Sequence, residues 1–388
     1  MVIFVAMFSL SQQARANEIA DAWGERIVST LIDAGVDASE ARRSFSKITA
    51  LGPMETGPGS WVYELAGPGM VHFRTAQTLE LKGKNGAALR SYRRAMTYLS
   101  AARFPATYTP ERELAYKQQL NAYRKVATLS EFPLELIDIP FEGKTIKVHY
   151  HDRNQLVASS GKQPVLIWSG GLDGWKTSDI AFKSRLMEEG FSILAIDLPG
   201  TGESEWTLGA ASNEVYDKVV DYLMTRNDVN KDKIAVYFGS FSGVFAIKMA
   251  LTNPNIAAAV NHSGGIHLFF HPPIDVIPPL TTTMGMRATA TTYAMEVFDS
   301  DMDSIKARLA TMSLKDQGLL KPTPDQAPLL SIYGTADRLM PIQDLDVLMK
   351  SGVKSTNLVY EDDRHMAWEH KEDHQQKMID WLKLQLDI

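Results

Sequence analysis

A serine, an aspartate and a histidine each follow a predicted apolar strand, and they occur in that order along the chain. Ser240 lies at the apex of a turn of small residues, Asp337 lies just past the end of a strand, and His365 lies on the loop after the next strand. A serine hydroxyl becomes a strong nucleophile when an imidazole takes its proton and a carboxylate orients that imidazole. The three residues therefore predict a catalytic triad that attacks a carbonyl carbon.

The turn around Ser240 joins a predicted strand to a predicted helix. Residues 234–237 form an apolar run of strand length, and residues 244–250 place apolar side chains at helical spacing. Counted from the strand, Ser240 falls where a nucleophile would stand above the sheet, with Phe238 two residues before it. Ser242 is the alternative, but choosing it moves the nucleophile into the helix. We favour Ser240.

Each residue of the predicted triad also has a structural alternative. Asp337 precedes Pro341 and a helical pattern, so its carboxylate could simply cap a helix. His365 could be a solvated loop histidine. Asp362 and Asp363 adjoin His365, but close neighbours along the chain rarely face each other as a His–Asp pair requires. Asp337 is therefore the predicted acid.

Two turns are predicted to supply the backbone amides that stabilise a developing oxyanion. The first donor is the amide of Phe241, the residue after the predicted nucleophile. The second comes from the turn after the apolar strand 164–169, where two glycines leave room for amides to converge on an oxygen. The amides of Gly171 and Leu172 are alternatives for this second donor. The same turn lacks the glycine spacing of a nucleotide-binding loop.

Three histidines, His262, His267 and His271, are close together in the sequence. We find no acidic residue that accompanies them at metal-ligand spacing, and the chain contains no cysteine. We therefore expect no metal and no cofactor. The absence of cysteine also excludes a disulfide framework and a cysteine nucleophile.

The predicted secondary structure that must position these residues changes near residue 130, from helices alone to alternating strands and helices. Before it, apolar residues recur at spacings of three and four, which predicts helices. After it, strands and helices alternate, which predicts a mostly parallel, doubly wound α/β sheet with an antiparallel hairpin at one edge. We expect an N-terminal helical domain, 1–130, that acts as a cap, a catalytic domain, 131–388, and a lid within 265–327. The predicted helices are Ala20–Ala34, Ser39–Ile48, Ala66–Lys82, Gly86–Ala102 and Pro110–Ala127.

Several of these motifs resemble those of a known group of enzymes. Gly-Gly-Leu-Asp at 170–173, the loop Asp-x-Pro-Gly-x-Gly at 197–202 and the serine turn are joined by Trp23, Arg26 and Ala87–Leu99 in the helical region. Together they resemble the α/β-hydrolases related to dihydroxypseudooxynicotine hydrolase, to the fermentation-respiration switch protein FrsA and to fungal polyketide chain-shortening hydrolases. The resemblance covers most of the chain and implies the α/β-hydrolase fold.

This resemblance also implies a function. It carries a serine triad onto Ser240, Asp337 and His365, and it implies hydrolysis of an ester or of a carbon–carbon bond next to a ketone. Relatives commonly have glycine where this chain has Phe238 and Ser242. A non-catalytic or regulatory protein that binds a partner through its helical domain is therefore the alternative.

Composition and charge narrow the choice of partner and compartment. A formal net charge of −6 offers no basic surface for nucleic acid or an anionic membrane, so we expect neither as a partner and leave a homodimer open. Residues 266–298 are rich in aromatic residues and methionine. They either line a pocket or form core between helices, and the first alternative predicts a small aromatic or acyl substrate. The apolar residues 2–10 are too few to span a bilayer. Because no Lys or Arg precedes them, we expect a cytoplasmic protein. The alternative is a signal peptide at 1–16 of a periplasmic or secreted protein.

Overall fold

The computed structural model describes residues 27–50, 52, 54–104, 106–158, 161–272, 291–296 and 302–388. These residues form two compact units. Of the described residues, the first unit contains those up to Glu131 together with Thr291, and the second contains the others from Phe132 onward. The alternative signal peptide at 1–16, the start of the first predicted helix and much of the predicted lid lie outside the described residues. The cap and lid roles stay predictions.

Helices make up the first unit, as the spacing of its apolar residues predicts. Residues 27–33 are helical (α1), and the helices that follow are α2 (Ala38–Ser46), α3 (Trp61–Leu81), α4 (Asn85–Arg103) and α5 (Pro110–Leu129). The side chains of Asp37, Ser60 and Thr109 accept backbone N–H groups at the starts of α2, α3 and α5. Because Ser60 caps it, α3 begins before the predicted Ala66.

The contact between α3 and α4 forms a core within this unit. Trp61 is buried, and its indole N–H donates to the carbonyl oxygen of Ala101 at 2.7 Å. Gly69 lies so close to α4 that an added Cβ would be 3.0 Å from the Cβ of Tyr98. The glycine therefore lets the two helices approach each other closely.

Within the described residues, eight strands form one sheet in the second unit. They are β1 (Glu135–Phe141), β2 (Lys144–His151), β3 (Gln163–Ser169), β4 (Ser192–Ile196), β5 (Val229–Gly239), β6 (Ala258–His262), β7 (Leu329–Gly334) and β8 (Thr356–Tyr360). Their order is β1-β2-β4-β3-β5-β6-β7-β8. β2 is antiparallel to β1 and β4, and the other neighbours are parallel. The mostly parallel sheet with an antiparallel hairpin is thus confirmed.

Helices flank this sheet. They are α6 (Arg153–Val157), α7 (Ile180–Glu188), α8 (Asn213–Thr225), α9 (Gly243–Thr252), α11 (Met302–Ala310), α12 (Gln343–Lys350) and α13 (Lys371–Leu386). A short helix, α10 (291–294), precedes α11 along the chain. Every residue of β3, β4, β6 and β7 is buried, as expected for parallel strands covered on both faces. No helix in the described part of the chain combines the length and the apolar character that crossing a membrane requires.

The carboxyl ends of the parallel strands collect the predicted site. Ser240 directly follows β5, the loop with Asp337 follows β7, and the loop with His365 follows β8. Gly171 lies just beyond β3. Because parallel strands end at the same edge of a sheet, residues far apart in sequence come together there.

Candidate active site

Ser240, His365 and Asp337 form one hydrogen-bonded chain at this edge. The Oγ of Ser240 lies 2.9 Å from Nε2 of His365, and Nδ1 of His365 lies 2.7 Å from Oδ2 of Asp337. Because an ionised carboxylate only accepts, His365 carries its proton on Nδ1 and its Nε2 accepts from the serine hydroxyl. The arrangement can move the serine proton to the imidazole as the hydroxyl attacks an electrophile.

The backbone that carries Ser240 is strained. Ser240 has a φ of 57°, a left-handed conformation that costs a non-glycine residue about 1–2 kcal/mol. β5 ends at Gly239 and α9 begins at Gly243, so the turn is short. A Cβ added to Gly243 would lie 2.7 Å from the Cα of Gly264. The start of α9 therefore packs directly on the chain that follows β6, and this packing holds the turn in place.

Ser242 and Phe238, which stand where the resemblance in the sequence implies glycine, both lie in the interior. Ser242 is buried, and its Oγ lies 3.1 Å from the carbonyl oxygen of Ser169 and 3.0 Å from that of Gly239. Phe238 is also buried, with its ring 4.5 Å from the ring of Tyr216 on α8. Ser242 is thus bound to the backbone, and the bulk of Phe238 is taken up by the core.

Asp337 uses its two carboxylate oxygens differently. Oδ2 faces His365, whereas Oδ1 accepts the backbone N–H groups of Leu339 at 2.7 Å and Met340 at 3.0 Å. A capping role is therefore present beside the contact with His365, on the turn that precedes α12. The side chain is fully buried, and the two amides hold the carboxylate in the orientation that His365 needs.

His262, the last residue of β6, and Ser263, which follows it, bind the backbone of the turn after His365. Met366 and Ala367 have φ values of 67° and 45°, so two consecutive residues with side chains are left-handed. The carbonyl oxygen of Met366 lies 3.0 Å from Nε2 of His262, and its N–H donates to Oγ of Ser263 at 3.2 Å. We call His262 and Ser263 the Met366 clamp. Sequence patterns predict neither residue as part of the site.

His262 is a neutral imidazole in this clamp. Its Nε2 must donate to the Met366 carbonyl, so its Nδ1 accepts the hydroxyl proton of Tyr237 at 2.8 Å. Burial, together with the neighbouring ring of His374, holds the pKa of His262 well below its usual value. This histidine therefore belongs to the frame around the predicted triad.

Gly171 lies against the predicted nucleophile. A Cβ added to Gly171 would be 2.7 Å from the Cβ of Ser240, 2.8 Å from its Oγ and 3.2 Å from the amide nitrogen of Phe241. A side chain at this position would fill the space beside both the hydroxyl and the first predicted amide donor. Glycine leaves that space free. Gly171 and the following Leu172 both stay candidates for the second donor.

A buried ion cluster fixes the loop that carries Gly171. The ammonium of buried Lys176 lies 2.7 Å from Asp197 and 2.8 Å from Glu203. Burial would raise the pKa of Asp197, but the charge of Lys176 and hydrogen bonds from Glu203 and Lys176 outweigh it and lower that pKa. Asp197 begins the Asp-x-Pro-Gly-x-Gly loop, and its carboxylate ties this loop to the loop with Gly171.

The two acids next to His365 in sequence do not take the place of Asp337. The buried carboxylate of Asp363 accepts from Nδ1 of His370 at 2.9 Å and from the backbone N–H groups of Arg364 and Glu369. Asp362 is exposed. Asp363 therefore forms a separate His–Asp pair within its own turn.

Metal-ligating side chains group at one place in the part of the chain that the structure describes. His267, His271 and Asp316 bring their ligand atoms within 4.8 Å of one another. His262 is not a member of this group, and neither is any residue of the predicted triad.

Known proteins resemble this chain over most of its length. A family model described as Esterase FrsA-like matches residues 30–387. Esterase FrsA of Photobacterium profundum is 25% identical over 303 residues, which cover 76% of this chain and 69% of the relative. The 2,6-dihydropseudooxynicotine hydrolase of Paenarthrobacter nicotinovorans is 24% identical over 250 residues, which cover 63% of this chain and 65% of the relative.

A solved structure shares the architecture. The crystal structure of the 2,6-dihydroxy-pseudo-oxynicotine hydrolase covers 93% of this chain and 94% of its own, with a TM-score of 0.73 and 20% sequence identity. At this identity the likeness shows the fold alone. It confirms the α/β-hydrolase fold that the motifs imply.

Proposed function

The chain belongs to the FrsA-like esterase family and is a hydrolase with the α/β-hydrolase fold, and on that premise we propose that it cleaves carboxylic esters with Ser240 as the nucleophile. His365 is the general base, and Asp337 orients it. The observation that carries the proposal is the chain of two hydrogen bonds, 2.9 and 2.7 Å long, from the Ser240 hydroxyl through His365 to Asp337.

The first half of the reaction forms an acyl-enzyme. As Oγ of Ser240 bonds to the carbonyl carbon, its proton passes to Nε2 of His365 and the carbonyl oxygen takes the negative charge. The amide of Phe241 and the amide of Gly171 or Leu172 donate to this oxyanion. When the tetrahedral intermediate collapses, the bond to the alcohol oxygen breaks, and His365 gives its proton to the leaving alkoxide.

Water completes the cycle. His365 takes a proton from water as the water oxygen bonds to the acyl carbon, and the bond to Oγ then breaks as the proton returns to Ser240. Asp337 stabilises the imidazolium in both halves without taking the proton. The products are a carboxylic acid and an alcohol.

We infer an apolar, aromatic or acyl substrate from the surroundings of the nucleophile. The ring of Phe241 packs against those of Phe269 and Phe270, with centroids 5.5 and 5.9 Å apart. Phe270 is buried in the core, whereas Phe269 is partly exposed and is available for contact. An aromatic surface beside the nucleophile favours an apolar acyl group. Residues 281–286, two of which are methionines, lie outside the described residues.

A fluorophosphonate probe, which reacts with activated serines, tests the nucleophile. The wild type should be labelled, Ser240→Ala should not, and Ser242→Ala should still be labelled. Labelling that persists in Ser240→Ala but vanishes in Ser242→Ala would move the nucleophile. No labelling of the folded wild type would favour the regulatory, partner-binding alternative.

Product analysis separates ester cleavage from the second candidate, hydrolysis of a carbon–carbon bond next to a ketone. The protein is incubated with a panel of aryl esters and β-diketones, and the products are identified by mass spectrometry. Acid plus alcohol indicates an esterase, whereas acid plus ketone or arene indicates carbon–carbon cleavage. In the second reaction the leaving group is a carbanion, which must be protonated on carbon. The resemblance in the sequence leaves this reaction open.

A further inference from the structure

Two histidines and an aspartate outside the predicted triad meet in the second unit. His267 and His271 flank the short turn Leu268–Phe270, and their ring centroids are 4.8 Å apart. Asp316, 45 residues from His271, lies 2.6 Å from Nε2 of His271 and 3.8 Å from Nδ1 of His267. The sequence alone predicts no metal here because it shows no acid at ligand spacing. The fold supplies that acid from a distant loop.

We propose that His267, His271 and Asp316 bind a divalent transition-metal ion of the Zn²⁺ type. Two imidazoles and a carboxylate suit Zn²⁺ and its first-row neighbours, whereas Mg²⁺ and Ca²⁺ prefer oxygen ligands alone. The three ligand atoms lie within 4.8 Å of one another. Three protein ligands leave the fourth tetrahedral position to water.

The distances between the ligand atoms are close to those of a tetrahedral site. Ligand atoms at about 2.0–2.2 Å from zinc lie roughly 3.3–3.5 Å from one another. Nε2 of His271 is 2.6 Å from Oδ2 of Asp316 and must move away from it, whereas Nδ1 of His267 is 3.8 Å from the other carboxylate oxygen, Oδ1, and must move closer. Each of these two changes is less than about 1 Å, and the widest separation in the group, up to 4.8 Å, must close by somewhat more. The side chains of His267, His271 and Asp316 are 17%, 41% and 46% exposed, so an ion can reach them from solvent.

Buried hydrogen bonds position two of the three ligands. The carboxylate of Asp344 accepts four consecutive backbone N–H groups at 2.6–3.1 Å, those of Ile266, His267, Leu268 and Phe269. Oγ of buried Ser313 lies 2.8 Å from Nδ1 of His267 and accepts the N–H of Asp316 at 3.2 Å. A metal bond at Nδ1 would replace the contact between His267 and Ser313. Two charges near His267 act in opposite directions: the negative charge of Asp344 would attract a cation bound there, and the positive charge of Lys315 would repel it.

Such an ion would tie the turn 267–271 to residues 313–316. Phe269 and Phe270 lie between the two histidines and pack against Phe241, the residue after Ser240. The ion would therefore stabilise the segment that backs the serine turn. We assign it this structural role and no step in ester hydrolysis.

Zinc binding to the untagged, chelator-treated full-length protein tests the site. Calorimetric titration should give one saturable Zn²⁺ per chain, and Zn²⁺ should raise the midpoint of thermal unfolding where equal Mg²⁺ does not. His271→Gln and Asp316→Asn should each weaken Zn²⁺ binding by at least about tenfold. Both should keep metal-free ester hydrolysis within about twofold of the wild type, because neither residue is in the catalytic machinery.

His370→Gln is the matched control. His370 forms a His–Asp pair with Asp363 at 2.9 Å but belongs to no group of three metal-ligating residues in the described part of the chain. Zn²⁺ binding should therefore be unchanged in this variant. The proposal would be overturned if the wild type showed no saturable Zn²⁺ binding. It would also be overturned if His271→Gln and Asp316→Asn bound Zn²⁺ as tightly as the wild type. Because binding is measured directly, this result does not depend on whether the protein proves to be an esterase.

Discussion

Two His–Asp pairs lie close together on the chain after β8, and they differ in what they can do. His365 donates from Nδ1 to Asp337 at 2.7 Å, and His370 donates from Nδ1 to Asp363 at 2.9 Å. Both carboxylates are fully buried. The geometry of the pair itself therefore does not distinguish a catalytic site from a structural one.

The difference lies on the other side of each imidazole. Nε2 of His365 meets the hydroxyl of Ser240 at 2.9 Å, whereas the ring of His370 stacks on Tyr360 and is 49% exposed. The first pair draws its acid from the end of another strand, and the second draws it from its own turn. The pair of His365 and Asp337 joins loops that follow two different strands and can act on a third group at the sheet edge. The pair of His370 and Asp363 lies within one turn and caps it.

Removing the Ser240 hydroxyl, which only the pair of His365 and Asp337 faces, should have the largest effect on kcat. Ser240→Ala should lower kcat for ester hydrolysis by roughly 10⁴-fold or more, because the imidazole then has no hydroxyl to activate. Ser242→Ala is the matched control and should keep kcat within about tenfold, since its hydroxyl bonds only to backbone carbonyls. Hydrolysis of an aryl ester at saturating concentration measures both variants. If Ser240→Ala and Ser242→Ala lost kcat equally, there would be no reason to prefer Ser240 over Ser242 as the nucleophile.

Exchanging the proposed triad acid, Asp337, for its amide should have the next largest effect. Asp337→Asn should lower kcat by about 10⁴-fold, because an amide at this position leaves His365 in the wrong tautomer. Asp363→Asn makes the same chemical change in the other pair and should leave kcat of the folded protein within about threefold. Steady-state kinetics, with circular dichroism to confirm folding, compare the two. A similar loss of kcat in both would mean that the two pairs do not differ in function.

Breaking the Met366 clamp should have an intermediate effect on rate. His262→Phe removes the donor to the Met366 carbonyl, so the imidazole of His365 should shift, and kcat should fall roughly 10- to 100-fold with KM within about threefold. His262→Gln keeps a donor and should recover part of the rate. Tyr237→Phe removes only the hydroxyl at the opposite ring nitrogen and should cost less. An increase in KM at unchanged kcat would instead assign His262 to substrate binding.

The predicted triad could be found from the sequence, but the clamp could not. Each triad residue follows its own strand, and parallel strands end at one edge, so order along the chain is enough to bring the three together. The bond from His262 to the carbonyl of Met366 spans 104 residues and involves a backbone atom. Residue types and spacing carry no record of such a contact.

Buried or distant charge pairs show the same limit. Lys176 and Asp197 are 21 residues apart, and His271 and Asp316 are 45 residues apart. Which of these groups meet depends on which loops the sheet brings side by side. The fold class, by contrast, depends on local periodicity, which the sequence does record.

The pair of His370 and Asp363 should make the free energy of unfolding depend on pH in the acid range. Burial would raise the pKa of Asp363, but hydrogen bonds from His370 and from backbone amides hold it below its usual value. Its contribution to the free energy of unfolding is therefore complete above a pH of about 4 and is lost as the pH falls through the folded-state pKa. Asp363→Asn should cost about 1–3 kcal/mol at neutral pH. Chemical denaturation should show this gap to the wild type narrowing in acid, and a gap that does not change with pH would contradict the prediction.

The smallest effect should come from the exposed histidine. His370→Gln leaves the carboxylate of Asp363 bound to backbone N–H groups, so kcat should stay within about twofold and the free energy of unfolding should fall by at most about 1 kcal/mol. His365→Gln, the same change in the other pair, should remove nearly all activity because Ser240 loses its base. Kinetics and denaturation curves of both variants measure the contrast. Since each histidine has a buried aspartate partner, a large difference in kcat between the two variants can come only from what the second ring nitrogen faces.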